Sequence, residues 1–141
     1  MVRGPPGAVP EPTSVGDKPL PCRILIVDDS PFARRVLREV LQGSGHEVLE
    51  AVDGQQALAI VEGHAVDLVI ADVHMPAMDG LALVRRLRAH PEHRLVPIAL
   101  LTAVTAPERE GWPREVEADA WLTKALDAAA VRTTVRRLLR R

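Results

Sequence analysis

The chain has 141 residues, 47% hydrophobic and 26% charged, enough for one core and too few for two full domains. Its formal net charge of -1 gives no global field that would recruit nucleic acid or an anionic membrane, and its single cysteine excludes an internal disulfide framework. No apolar run approaches the roughly 20 residues that span a bilayer, and the Met1 region lacks the apolar core of a signal peptide, so the chain reads as cytoplasmic.

Residues 1–21 hold Pro5, Pro6, Pro10, Pro12, Pro19 and Pro21 with Gly4, Gly7 and Gly16, and almost no bulky apolar side chains. Such a stretch cannot bury enough surface to offset its ordering entropy, and a disordered Pro-rich tail is expected ahead of one domain over 22–141. From Arg23 the pattern changes to short apolar runs alternating with amphipathic stretches. Arg23 to Val27 reads as a strand covered on both faces. Ser30-Pro31 then opens a helix whose apolar positions are Phe32, Val36, Leu37, Val40 and Leu41, and Gly43-Ser44-Gly45 ends it. His46 to Val52 is the expected second strand, and Asp53-Gly54 starts a helix presenting Ala57, Leu58 and Val61. A third strand is expected over Val66 to Ala71, then a helix capped by Asp79 with Leu81, Leu83, Val84 and Leu87 inward. Val96 to Leu101 and Ala120 to Thr123 are the fourth and fifth strands. The last helix runs from about Asp127 to Arg140, with Val131, Val135, Leu138 and Leu139 inward and the arginines outward. Strands alternating with helices imply an α/β doubly wound parallel sheet with helices on both faces, joined by right-handed crossovers.

In such a sheet ligands bind beyond the carboxyl ends of the strands. The polar residues Asp28, Asp29, Asp72, Thr102 and Lys124 all fall at those ends. Three carboxylates brought close repel by roughly 4 kcal/mol per pair at 4 Å with an effective dielectric near 20, so a cation belongs among them. Mg²⁺ suits hard oxygen ligands and needs only one or two carboxylates from the protein, and Lys124 supplies a second positive charge. A carboxylate beside Mg²⁺ and an ammonium is a competent nucleophile toward phosphorus. Asp72, alone at the end of the third run, is the best candidate, and the Thr102 hydroxyl is placed to donate to a phosphoryl oxygen.

The stretches Val27-Asp28-Asp29-Ser30, Asp72-Val73-His74-Met75-Pro76-Ala77-Met78-Asp79-Gly80, Leu101-Thr102-Ala103 and Trp121-Leu122-Thr123-Lys124 together resemble the receiver domain of bacterial two-component response regulators, over Arg23 to Arg141. The resemblance implies a flavodoxin-like five-stranded sheet of order 2-1-3-4-5. It also implies a phosphoacceptor at Asp72, with Mg²⁺ held by the Asp29 and Asp72 carboxylates and the His74 backbone carbonyl, and with Asp28 acting through a metal-bound water. Thr102 and Trp121 become switch residues, and Lys124 bridges to the phosphoryl oxygens. His74 and Val104 stand where the family tunes phosphoryl lifetime. The implied donor is a phosphohistidine on a sensor histidine kinase or phosphotransfer protein. The implied output is binding of a downstream protein at the surface of the fourth helix, fifth strand and fifth helix, by a monomer or a phosphorylation-dependent dimer.

Two departures stand out. Lys124 is followed by Ala125, where the family usually has Pro after a cis bond; cis before a non-proline residue costs about 2.5 to 4 kcal/mol, which leaves Lys124 held less rigidly or on a trans backbone. In the expected fourth helix, Thr105-Ala106-Pro107-Glu108 looks like a capping box, but Gly111-Trp112-Pro113 predicts a break, with Trp112 a candidate partner anchor. The expected function is that of a single-domain response regulator, not an enzyme beyond its own phosphoryl transfer and slow autodephosphorylation. The alternatives are a phosphorylation-independent receiver-fold adaptor, and an Asp-nucleophile phosphatase, against which Asp72-Val73-His74 lacks the second acid of a D-x-D run.

Overall fold

The computed structural model describes residues 21–75, 78–103 and 118–140. The predicted tail up to residue 20, Val104 and the expected helix break with Trp112 lie outside the described residues. Five strands, β1 (Arg23–Val27), β2 (Glu47–Ala51), β3 (Leu68–Asp72), β4 (Ile98–Thr102) and β5 (Ala120–Thr123), pair in parallel in the order β2-β1-β3-β4-β5. Helices α1 (Pro31–Gly43), α2 (Gly54–Gly63) and α3 (Gly80–Ala89) and a C-terminal helix (Ala128–Leu139) cover the sheet.

Each helix starts on a side chain that satisfies an otherwise unpaired N–H of its first turn. Ser30 accepts from Ala33 at 3.2 Å, Asp53 from Gln56 at 2.8 Å, Asp79 from Ala82 at 2.8 Å and Asp127 from Ala129 at 3.0 Å. Beyond α1, Gly45 at φ 93 supplies the left-handed turn that a side chain would resist.

Strand alternation sends neighbouring residues to opposite faces. On one face Ile24, Ile26, Leu68 and Ile70 pack with Leu37 and Leu41 of α1 and with Val131, Val135 and Leu138 of the C-terminal helix. On the other, Leu25, Val27, Val69 and Leu100 pack with Ala57 and Val61 of α2 and with Leu83, Val84 and Leu87 of α3. The sheet thus separates two cores.

Some boundaries shift from expectation. The third strand starts later, at Leu68, and includes Asp72, which pairs with Leu101. The fourth begins at Ile98, because Pro97 has no N–H to give the ladder, and extends through Thr102. The second shortens to Glu47–Ala51 and leaves Val52 exposed. Phe32, expected inward, is 74% exposed: the buried stripe of α1 runs Ala33, Leu37, Leu41, and Phe32 lies about 100° of helical rotation off it.

Candidate functional site

The carboxyl edge of the sheet is built by register. Val27 lies level with Ala71 across β1 and β3, so Asp28 and Asp72 emerge side by side. Thr102 ends β4 opposite Thr123 of β5, which places Lys124 one residue beyond. The sequence-predicted residues therefore converge on one edge, although β2 separates none of them.

Asp28 is fully buried. Its N–H donates to the Ala51 carbonyl at 3.1 Å, its Oδ1 accepts from the Ser30 N–H at 2.9 Å, and its Oδ2 accepts from Lys124 Nζ at 3.2 Å. Asp72, 4% exposed, accepts on Oδ2 from Lys124 Nζ at 2.8 Å and on Oδ1 from the His74 N–H at 3.1 Å. Asp29 is exposed, and carboxylate oxygens of Asp28, Asp29 and Asp72 all lie within 4.8 Å of one another. Thr102 is buried, and its carbonyl accepts from the Lys124 N–H at 3.3 Å. The His74 ring is exposed, while its peptide is held beside Asp72. Trp121, paired with Leu100 on β5, is half-buried against the core shared with α2 and α3.

Ala125 does not cost Lys124 its reach, since both carboxylates are within hydrogen-bond distance of the ammonium. The turn behind it passes through Leu126 at φ 56, a left-handed position uncommon for a branched side chain, and Leu126 packs against the core formed with α1.

The electrostatics follow from three carboxylates facing one ammonium. Burial pushes the Asp28 carboxyl above its usual range, opposed by the Ser30 N–H, while the Asp72 charge pushes it further up and Lys124 pulls it down. For Lys124, burial alone would lower the ammonium's pKa, but the hydrogen bond to Asp72 and the charges of Asp28 and Asp72 outweigh it and hold the pKa above its ordinary value. The donors are hard oxygens carrying more negative charge than Lys124 balances, which fits a small divalent cation such as Mg²⁺.

Close approach of α3 completes the edge. A Cβ on Gly80 would lie 2.4 Å from the Asp72 carbonyl oxygen and 2.9 Å from Val73 Cα, so only glycine lets the helix start against the end of β3. Sequence reasoning missed Arg34. Its Nη1 donates to the Asp28 carbonyl at 2.7 Å and its Nε to Glu50 at 3.1 Å, tying the acidic loop to α1 and β2. Only the first-turn spacing after Ser30 could have pointed to it.

A model of the response regulator receiver domain matches residues 24–136. A gliding motility regulatory protein of Myxococcus xanthus is 39% identical over 102 residues, 72% of this chain and 13% of that protein. The chain spans about half the length of other curated relatives it matches. Among solved structures, the chemotaxis response regulator CheY4 of Vibrio cholerae aligns with a TM-score of 0.79 and 35% identity over 84% of this chain and 99% of that one. The response regulator TrrA of Thermotoga maritima, solved in complex with Mg²⁺ and BeF, aligns with a TM-score of 0.74 and 34% identity over 84% and 99%.

Proposed function

The chain belongs to the response regulator receiver family, a class of signalling modules rather than turnover enzymes, and from that premise we propose that Asp72 accepts a phosphoryl group from a phosphohistidine and that the modified protein signals by binding a protein target. The observation that carries this is Lys124 Nζ bridging Asp72 and Asp28, with Asp29 completing the carboxylate cluster. An Asp72 carboxylate oxygen attacks phosphorus, the P–N bond to the donor imidazole breaks, and the imidazole nitrogen keeps the electron pair and takes a proton. Lys124 orients Asp72 beforehand and then stays with the charge on the transferred group. Thr102, buried at the next strand end, donates its hydroxyl to a phosphoryl oxygen.

Asp29 and Asp72, with the His74 carbonyl, would hold Mg²⁺, as the relative from Thermotoga maritima was solved with that ion. Asp28 has both oxygens engaged by Ser30 and Lys124, which suits contact through a water. The ion would neutralise charge that builds on the phosphoryl oxygens. Trp121 and Thr102 form the proposed switch, biasing a pre-existing equilibrium at the surface that includes β5 and the C-terminal helix. The donor is a sensor histidine kinase or phosphotransfer protein.

Incubation with acetyl phosphate and Mg²⁺, followed by intact mass measurement, tests the reading. One phosphoryl group should appear on the wild type and none on Asp72→Asn or with chelator present. A wild type that is never modified, by acetyl phosphate or by a panel of phosphorylated kinases, would leave the phosphorylation-independent adaptor in its place.

A further inference from the structure

A second cluster of donors sits at the opposite, amino-terminal edge of the sheet. Glu62 lies in the last turn of α2, His90 caps α3, and His93 follows in the turn that leads to β4. Ligand-capable atoms of these three side chains all fall within 4.8 Å of one another. His90 Nε2 is 3.4 Å from Glu62 Oε2, and the His90 and His93 rings stand 4.3 Å apart between centroids. The Nε2 atom of His93 is buried and has no hydrogen-bond partner among the described residues, an unfavourable state unless something binds it. Glu62 and His93 also line an open cleft of about 430 Å³, with His64 and Glu92 on the same wall.

We propose that Glu62, His90 and His93 form a site for a borderline divalent transition ion of the zinc class, separate from the acidic edge. Two imidazoles and one carboxylate are a donor set that zinc takes with a coordination position left open, whereas magnesium prefers oxygens alone. Binding has a defined local cost. The Glu92 N–H donates to His90 Nδ1 at 3.0 Å, so the neutral ring carries its proton on Nε2. Coordination through Nε2 moves that proton to Nδ1 and exchanges the Glu92 bond for a metal bond. The ion would tie the end of α2 to the α3–β4 connection, two segments that no strand pairing joins.

The test uses tag-free full chain, stripped with chelator and desalted, titrated with Zn²⁺ alone by calorimetry and with Co²⁺ by visible absorption. One ion should bind at this cluster, with its affinity reduced about tenfold or more in His93→Ala and in Glu62→Gln, and any ion taken by the acidic edge should appear as a separate step that these variants leave unchanged. Glu62 is exposed, so its substitution does not threaten the fold. The step at the Glu62, His90 and His93 cluster should persist in Asp72→Asn, a substitution that weakens only binding at the acidic edge. Absence of saturable binding below about 1 mM, wild-type affinity in both cluster variants, or loss of this binding step in Asp72→Asn would each overturn the proposal.

Discussion

At the residue scale, Asp28 carries an unfavourable charge in the metal-free protein. Its folded carboxyl is held above the usual range chiefly by burial, so its charge is less favourable in the folded state than in the unfolded chain. Asp28→Asn keeps the shape and an acceptor for Ser30, and should raise the stability of the metal-free protein by about 1 kcal/mol, or roughly 4 °C in Tm. Thermal melts with and without Mg²⁺ check this, and the variant should also respond less to the ion. His46 gives a pH dependence of known sign. Burial lowers its pKa, opposed by the Asp67 charge, and its Nδ1 is buried without a partner among the described residues. The unfolded chain then binds more protons, so this residue's share of stability is complete above about pH 6.5 and is lost as pH falls from there through the lowered folded value. Melting temperatures between pH 7.5 and 5.5 should decline less steeply in His46→Gln than in the wild type. The acidic edge could be read from the sequence because Asp28, Asp72, Thr102 and Lys124 each adjoin an apolar run. Arg34 was marked only by its first-turn spacing after Ser30, since a polar helix position carries no sign of the carbonyl it will meet.

At the element scale, three glycines separate by what surrounds them. A Cβ on Gly43, in the last turn of α1, would meet nothing within 4 Å, so Gly43→Ala should stabilise by about 0.5–1 kcal/mol through helix propensity and a less flexible unfolded chain. On Gly54 it would strike Met78 Cγ and Sδ at 2.8 Å, which can turn aside, and Met78 Cβ at 2.9 Å, which is fixed to the backbone, and a cost of about 1–2 kcal/mol is expected. On Gly80 it would strike backbone, and the loss should reach about 3 kcal/mol with slower phosphoryl acceptance, since the displaced atoms belong to Asp72 and Val73. Urea melts of the three variants should fall in that order. Helix starts were legible from Ser30, Asp53, Asp79 and Asp127 because capping is local. Strand starts were less so: Val66 and Val96 extend the apolar runs, yet the ladder waits for neighbours that only the folded sheet supplies.

At the scale of the whole molecule, the alternation of runs and helices gave a parallel sheet, but the order β2-β1-β3-β4-β5 came from family resemblance, because nothing local says which strands will pair. Excess negative charge at one edge should also make stability responsive to Mg²⁺. Millimolar Mg²⁺ should raise Tm at neutral pH, and the rise should be smaller in Asp29→Asn. A different consequence follows from the Lys124 bridge. It joins residues 96 and 52 positions apart in the chain, and the three side chains meet only once β1, β3, β4 and β5 are in register. The charged clasp is therefore expected to close late on the folding route. In stopped-flow denaturant chevrons, Lys124→Ala should leave the refolding limb near that of the wild type and accelerate unfolding, so the bridge governs how long the folded molecule lasts more than how fast it forms.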